Sequence, residues 1–241
     1  MAETIIEARD VAKKFRIRRT TVTALRNIDL IVERGEYISV MGPSGSGKTT
    51  LFNMIGALDR PSEGEVSIAG VQLSRLTSSQ LAHFRCNYIG YIFQAFNLVP
   101  SMTALDNVML PCTLKGMDHH EAVARATHLL ERVGLGDRLH HRPSELSGGQ
   151  QQRTAIARAL SNNPLIILAD EPTGNLDLQT GEHIIQILAD LCKEEGVTVV
   201  TATHDHKMLA TSDRVVWIAD GAISRIERRE DLNIRTGSIS G

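Results

Sequence analysis

Between Gly42 and Thr50 the chain reads GPSGSGKTT, with Gly42, Gly47, Lys48 and Thr49 in the spacing G-x-x-x-x-G-K-[ST]. That spacing forms a phosphate cradle when a strand runs into it and a helix leaves it. The apolar run YISVM before the loop and KTTLFNMIGAL after it predict both elements. The whole loop, Gly42, Pro43, Ser44, Gly45, Ser46, Gly47, Lys48, Thr49 and Thr50, is the candidate nucleotide-binding segment. Backbone N–H groups from Ser44 to Thr49 would wrap a β-phosphate, Lys48 would neutralise β and γ oxygens, and the Thr49 hydroxyl would hold Mg²⁺.

A second anchor is LIILADEP, an apolar run that brings Asp170 to a strand end, followed by Glu171. Asp170 is placed to hold Mg²⁺ through water. Glu171, ionised at neutral pH, is placed to polarise a water aimed at a γ-phosphate. A third feature raises a question, because ELSGGQQQR puts Ser147, Gly148, Gly149 and Gln150 just ahead of a helix-like run. A glycine-containing helix start also holds anions, through free N–H groups that point outward. One chain thus carries two anion-binding turns.

These groups need a scaffold, and the 241 residues with 42% hydrophobic content suffice for a substantial core. The 26 Lys and Arg nearly balance the 28 Asp and Glu, so no broad field favours nucleic acid or an anionic membrane surface. Cys86, Cys112 and Cys192 are few, odd in number and widely spaced, which reads as buried free thiols in a reducing cytoplasm. The start, MAETIIEARD, lacks a secretion-signal pattern, and no apolar run approaches the ~18 residues of a membrane span. His119, His120, His128, His140 and His141 read as solvated surface, since adjacent residues do not share one helical face.

Along the chain, TIIEARDV and TALRNIDLIV read as an antiparallel β layer leading into the buried strand YISVMG. EVSIAG and NYIGYIF read as strands, with the helix SSQLAHFR between them. From about residue 95 or 103 to 160 the pattern is helical. It is clearest where Ala122, Ala126, Leu129, Leu130 and Val133 form one apolar stripe, which predicts an inserted helical subdomain. Alternation then returns: strand LIILAD, helix GEHIIQILADLCKEE, strand VTVVTAT, and the pair RVVWIAD and AISRIE. The fold class is therefore α/β, with a mostly parallel sheet covered on both sides. A single domain is expected over 4–228, with a flexible tail over 229–241.

Taken together, GPSGSGKT, LSGGQ, LIILADEP, GNLD and THD stand in the order and spacing of the ATP-binding cassette ATPases. The resemblance runs from about Thr4 to Arg225. It implies a phosphate-loop core that binds ATP with Mg²⁺, an antiparallel β subdomain and a helical subdomain. It also implies a use for the second turn: two copies pack head to tail, and Ser147, Gly148, Gly149 and Gln150 of one close over the γ-phosphate held by the other's Lys48. By the same resemblance Gln94 touches Mg²⁺ or the attacking water, His204 contacts the γ-phosphate and orients the water, and Asp177 reaches across the dimer. Where relatives often have a tyrosine on the adenine, this chain has Phe15 in VAKKF, which leaves adenine stacking and a plain core aromatic both open.

The resemblance further implies docking of separate membrane permease subunits near residues 94–111. Phe96, Leu98, Val99 and Met102 would form an apolar groove there, or else pack internally. The protein would sit on the cytoplasmic face of a bacterial inner membrane, touching the bilayer only through that partner and binding no nucleic acid. GALDRPSEGEV, IGYIFQAFNLVPSMTALDNVMLP and ADEPTGNLD look like the lipoprotein-release and macrolide-export branch, which implies export or extraction by mechanotransmission. The alternatives are a division-type regulatory ATPase that transports nothing and, disfavoured by GALDRP and TGNLD, an amino-acid importer ATPase.

Overall fold

The computed structural model describes residues 3–18, 20–204 and 206–232. Two long strands, β1 (Thr4–Ile17) and β2 (Thr20–Glu33), form an antiparallel hairpin. With β4 (Glu63–Ile68) and the short β5 (Val71–Gln72) they make a four-stranded sheet in the order β2-β1-β4-β5. The second sheet has six strands: β3 (Tyr37–Met41), β6 (Ile89–Phe93), β7 (Ile166–Asp170), β8 (Thr198–Thr203), β9 (Arg214–Ala219) and β10 (Ala222–Arg228). Their order is β10-β9-β3-β8-β7-β6, parallel throughout except for the antiparallel edge pair β9 and β10.

Strand periodicity explains how one sheet serves two cores. On β7, Ile166 and Leu168 face the first core while Ile167 and Ala169 face the second; on β8, Val200 and Val199 divide in the same way. The first core lies between the two sheets and includes Leu51, Phe52 and Ile55 of helix α1 (Lys48–Ile55), with Leu81 and Phe84 of α2 (Ser78–Tyr88). The second holds the apolar faces of α3 (Ala104–Lys115), α4 (His119–Arg132), α5 (Gly148–Leu160) and α6 (Leu178–Glu195). All five residues of the stripe expected from Ala122 to Val133 are buried. Replacing Leu130, which is fully buried, by alanine is expected to lower unfolding stability by about 2–5 kcal/mol, measured by denaturant titration.

Some boundaries differ from the sequence reading. The helix after the phosphate loop stops at Ile55 instead of Leu58, because Ala57 takes φ +55° and leaves the helical region, while Gly56 lies against β6, where a β-carbon would strike the Tyr91 hydroxyl, which donates to the Gly56 carbonyl. Asn87 and Tyr88 close α2 and do not open β6. The Tyr88 ring meets Phe84 one helical turn earlier, and Asn87 Nδ2 donates to the His83 carbonyl. Of the residues expected to be mobile, Arg229–Asp231 form a short 3₁₀ turn in which the Arg229 N–H donates to the Asp213 carbonyl. The rest of that tail, from residue 233, and Asp205 of the THD motif lie outside the described residues. Cys112 and Cys192 are buried and Cys86 half-buried, all as free thiols.

Candidate functional site

Four parallel strands lie side by side as β3, β8, β7 and β6, so their carboxyl ends form one rim. Ligands of open α/β sheets bind at such a rim. The phosphate loop leaves β3, Asp170 ends β7 with Glu171 after it, His204 follows β8, and Gln94 follows β6. Inside the sheet Ser39 pairs with Thr201 across β3 and β8. Its hydroxyl lies 2.8 Å from Thr201 Oγ1 and 2.6 Å from Ser212 Oγ, a buried polar rung that fixes the register beneath the rim.

A cavity of about 660 Å³ opens over the rim. Ser44, Gly45, Gly47, Lys48, Thr49 and Thr50 line it from the loop, Gln94, Asp170, Glu171 and His204 from the strand ends, and Ala24 from the hairpin. Gly47 has φ +108°, and a β-carbon on it would press on the Ala24 carbonyl and Leu25, so only glycine brings the loop this close to β2. Helix α1 starts at Lys48, which leaves the N–H groups of its first turn unpaired within the helix and aimed at the loop. The Lys48 amine donates to the carbonyls of Gly42, at 2.8 Å, and Pro43, at 3.1 Å, and thus lies inside the curve of the loop.

The Thr49 hydroxyl donates to Asp170 Oδ2 at 3.3 Å. Burial, with the Glu171 charge adding to it, raises the Asp170 pKa above the usual aspartate value; the Thr49 hydrogen bond opposes the shift. Beside it, Glu171 Oε2 is 2.7 Å from His204 Nδ1, with 16% of the glutamate side chain and 72% of the histidine exposed. Glu171 itself has φ +49°, a left-handed conformation unusual for a residue with a β-carbon. Its N–H donates to the Ala202 carbonyl of β8 at 2.8 Å, and its carbonyl accepts from the Gly174 N–H at 3.1 Å. Gln94 packs its amide against Gly174, and its carbonyl accepts from Asn175 Nδ2 at 2.8 Å.

The remaining sequence-predicted residues lie elsewhere. Phe15 does not line the cavity: it sits opposite Val22 on the hairpin, 38% exposed, with Lys13 Nζ 5.1 Å from its ring centre. None of Ser147, Gly148, Gly149, Gln150 and Asp177 lines it either. Ser147 caps α5 in a reciprocal box, its hydroxyl accepting from the Gln150 N–H while Gln150 Oε1 accepts from the Ser147 N–H. Asp177 caps α6 with its own carboxylate, accepting from the Thr180 N–H at 3.0 Å and the Thr180 hydroxyl at 2.6 Å, bonds that lower its pKa. The two caps touch, because a β-carbon on Gly149 would collide with Thr180 Cγ2.

Sequence reasoning missed three supporting side chains. Ala24 carries no local signal. Asn107, fully buried on α3, accepts from the Val99 N–H and donates to the Thr103 carbonyl at 2.9 Å, which holds the loop after Gln94. Arg158 of α5 donates to the Phe96 and Asn97 carbonyls, pinning two residues with φ of 60° and 50°. A polar residue on an apolar helix face is the signal that would have found Asn107.

Comparison with known proteins gives the family of the chain. The ABC transporter family model matches residues 25–174. An ABC transporter ATP-binding protein of Thermotoga maritima is 51% identical, over 93% of this chain and 96% of its own. The macrolide export ATP-binding/permease protein MacB of Rhodopirellula baltica is 46% identical over 98% of this chain, which spans only 34% of that longer protein. The solved dimeric structure of a post-hydrolysis state of the ATP-binding cassette MJ0796 bound to ADP and Pi superimposes with a TM-score of 0.88. It is 44% identical and covers 93% of this chain and 99% of its own. The chain belongs to the ABC transporter family, as an ATP-hydrolysing, nucleotide-binding cassette of α/β fold. Among the described residues no helix is long and apolar enough to cross a membrane.

Proposed function

We propose that two copies of this cassette, residues 4–228 with the helical unit of about 95–160, pack head to tail around two ATP molecules and drive a separate membrane permease. The observation that carries this reading is the division of the two anion-binding turns. The phosphate loop shares its cavity with Asp170, Glu171, Gln94 and His204, while no residue of the Ser147 turn lines that cavity. A two-fold pairing brings each turn to the other copy's nucleotide. The relative MJ0796, solved as a dimer with ADP and Pi, supports the pairing.

Within each site, Lys48 and the loop N–H groups hold the β- and γ-phosphates. The exposed Thr49 hydroxyl and the half-buried Asp170 carboxylate, 3.3 Å apart, are oxygen ligands that suit a hard cation such as Mg²⁺, and Gln94 completes that side. Bound Mg²⁺ neutralises charge on the phosphate oxygens. Glu171 accepts a hydrogen bond from the attacking water and His204, at 2.7 Å, steadies that carboxylate and meets the γ-phosphate. Orientation and charge stabilisation supply most of the rate. Phe15 with Val22 offers an apolar surface for the adenine beside Ala24.

The permease surface is proposed along residues 94–111. A groove of about 210 Å³ between β6, α3 and α5 takes Asn97 and Pro111 from that stretch and adds Tyr91, Phe93, Arg158 and Asn162. Phe96, Leu98, Val99 and Met102 are half-buried and do not line it, so the groove is built from other residues than the sequence suggested. Similarity to a macrolide export protein supports export or extraction of a lipoprotein, drug or peptide-like cargo by mechanotransmission, at the cytoplasmic face of the membrane. Shared sites require pairs, so turnover per subunit is expected to rise with protein concentration and to show a Hill coefficient above one in ATP. Turnover unchanged by dilution to well below the dimer dissociation constant would sink the shared-site reading.

A further inference from the structure

Helix α5 carries a polar side chain that neither the cavity nor the Ser147 turn uses. Gln152 is 0% exposed and lies on the buried side of the helix with Ala155, Ile156 and Ala159. Its Nε2 donates to the Pro172 carbonyl at 2.6 Å, and its Oε1 has no hydrogen-bond partner among the described residues. A buried amide that leaves one of its own atoms unpaired is unfavourable, and it calls for a reason.

Pro172 immediately follows Glu171, whose left-handed backbone persists only because its surroundings fix it. Strand β8 holds the N–H of Glu171 through Ala202, and Gly174 holds its carbonyl. The next peptide is held by Gln152. Gln152 stands five positions after Ser147, about 7.5 Å of helix, within one stiff element.

We infer that Gln152 is a positioning residue: from α5 it fixes the Pro172–Thr173 peptide, the one after Glu171–Pro172, and so limits the direction of the Glu171 carboxylate. A displacement of the Ser147 turn then reaches Glu171 through the body of α5. The inference rests on the reading of Glu171 as the group that orients the attacking water.

Gln152→Met keeps the length of the side chain and removes the donor. It leaves the Pro172 carbonyl unpaired but also removes the orphaned Oε1, so the melting temperature is expected to stay within about 3 °C of the parent. With Glu171 free to turn, kcat is expected to fall about tenfold to a hundredfold while KM for ATP stays within about twofold. In the Glu171→Gln background the same substitution is expected to leave the ATP-induced dimer unchanged. Gln152→Leu, which likewise removes the donor and adds no charge, is expected to lower kcat alike and serves as the test if the methionine variant does not fold. An unaltered kcat in a folded variant, beside an inactive Glu171→Gln protein, overturns the role of Gln152 and leaves that of Glu171 standing. A fall in kcat matched by an equal loss of dimer or rise in KM makes Gln152 merely structural and also overturns it. An active Glu171→Gln protein removes the underlying reading.

Discussion

Glu171→Gln is expected to bind ATP as the parent does and to lose about 10²- to 10⁴-fold in turnover, the range set by removal of a positioned general base. The substitution keeps the volume of a largely buried side chain and replaces a carboxylate oxygen, 2.7 Å from His204 Nδ1, by an amide of weaker basicity. Nothing in the phosphate loop changes, since Lys48, Thr49 and the loop N–H groups do not bond to Glu171. ATP then stays intact between two cassettes, and a stable dimer is expected by light scattering in ATP but not in ADP. Turnover near the parental level would remove Glu171 from its proposed role.

The second large effect is expected from Ser147→Arg. Ser147 is exposed and makes its hydrogen bonds only within its own cap. Losing that cap costs about 0.5–2 kcal/mol, which a folded domain tolerates. A guanidinium at this point fills the space that a second copy's γ-phosphate would occupy in the proposed pair. Nucleotide affinity of the single subunit is therefore expected to stay within about twofold, measured by fluorescence titration. The ATP-dependent dimer of the Ser147→Arg, Glu171→Gln double variant is expected to be absent. Undiminished dimer formation would detach the Ser147 turn from the interface.

The phosphate loop, the strand-end acids and the α4 stripe were legible because each is written locally, in glycine spacing or in a 3.6-residue period. Where sequence reading failed, the deciding contact came from a distant element. Position 56 must be glycine because Tyr91, 35 residues away, occupies the space a β-carbon would need, and Ala57 turns left-handed after it and ends α1. The lining of the groove by Arg158 and Asn162, in place of Leu98 and Met102, depends on how α5 crosses β6. Gln152 stood in plain view in QQQR, but its burial against Pro172, which sets it apart from the two glutamines before it, is not written in the local sequence.

The contact between Gly149 and Thr180 carries one more consequence. With no room for even a methyl group between them, the serine-headed and aspartate-headed helix starts cannot slide past each other. In the proposed pair they would therefore reach the opposite nucleotide together, as two teeth of one latch.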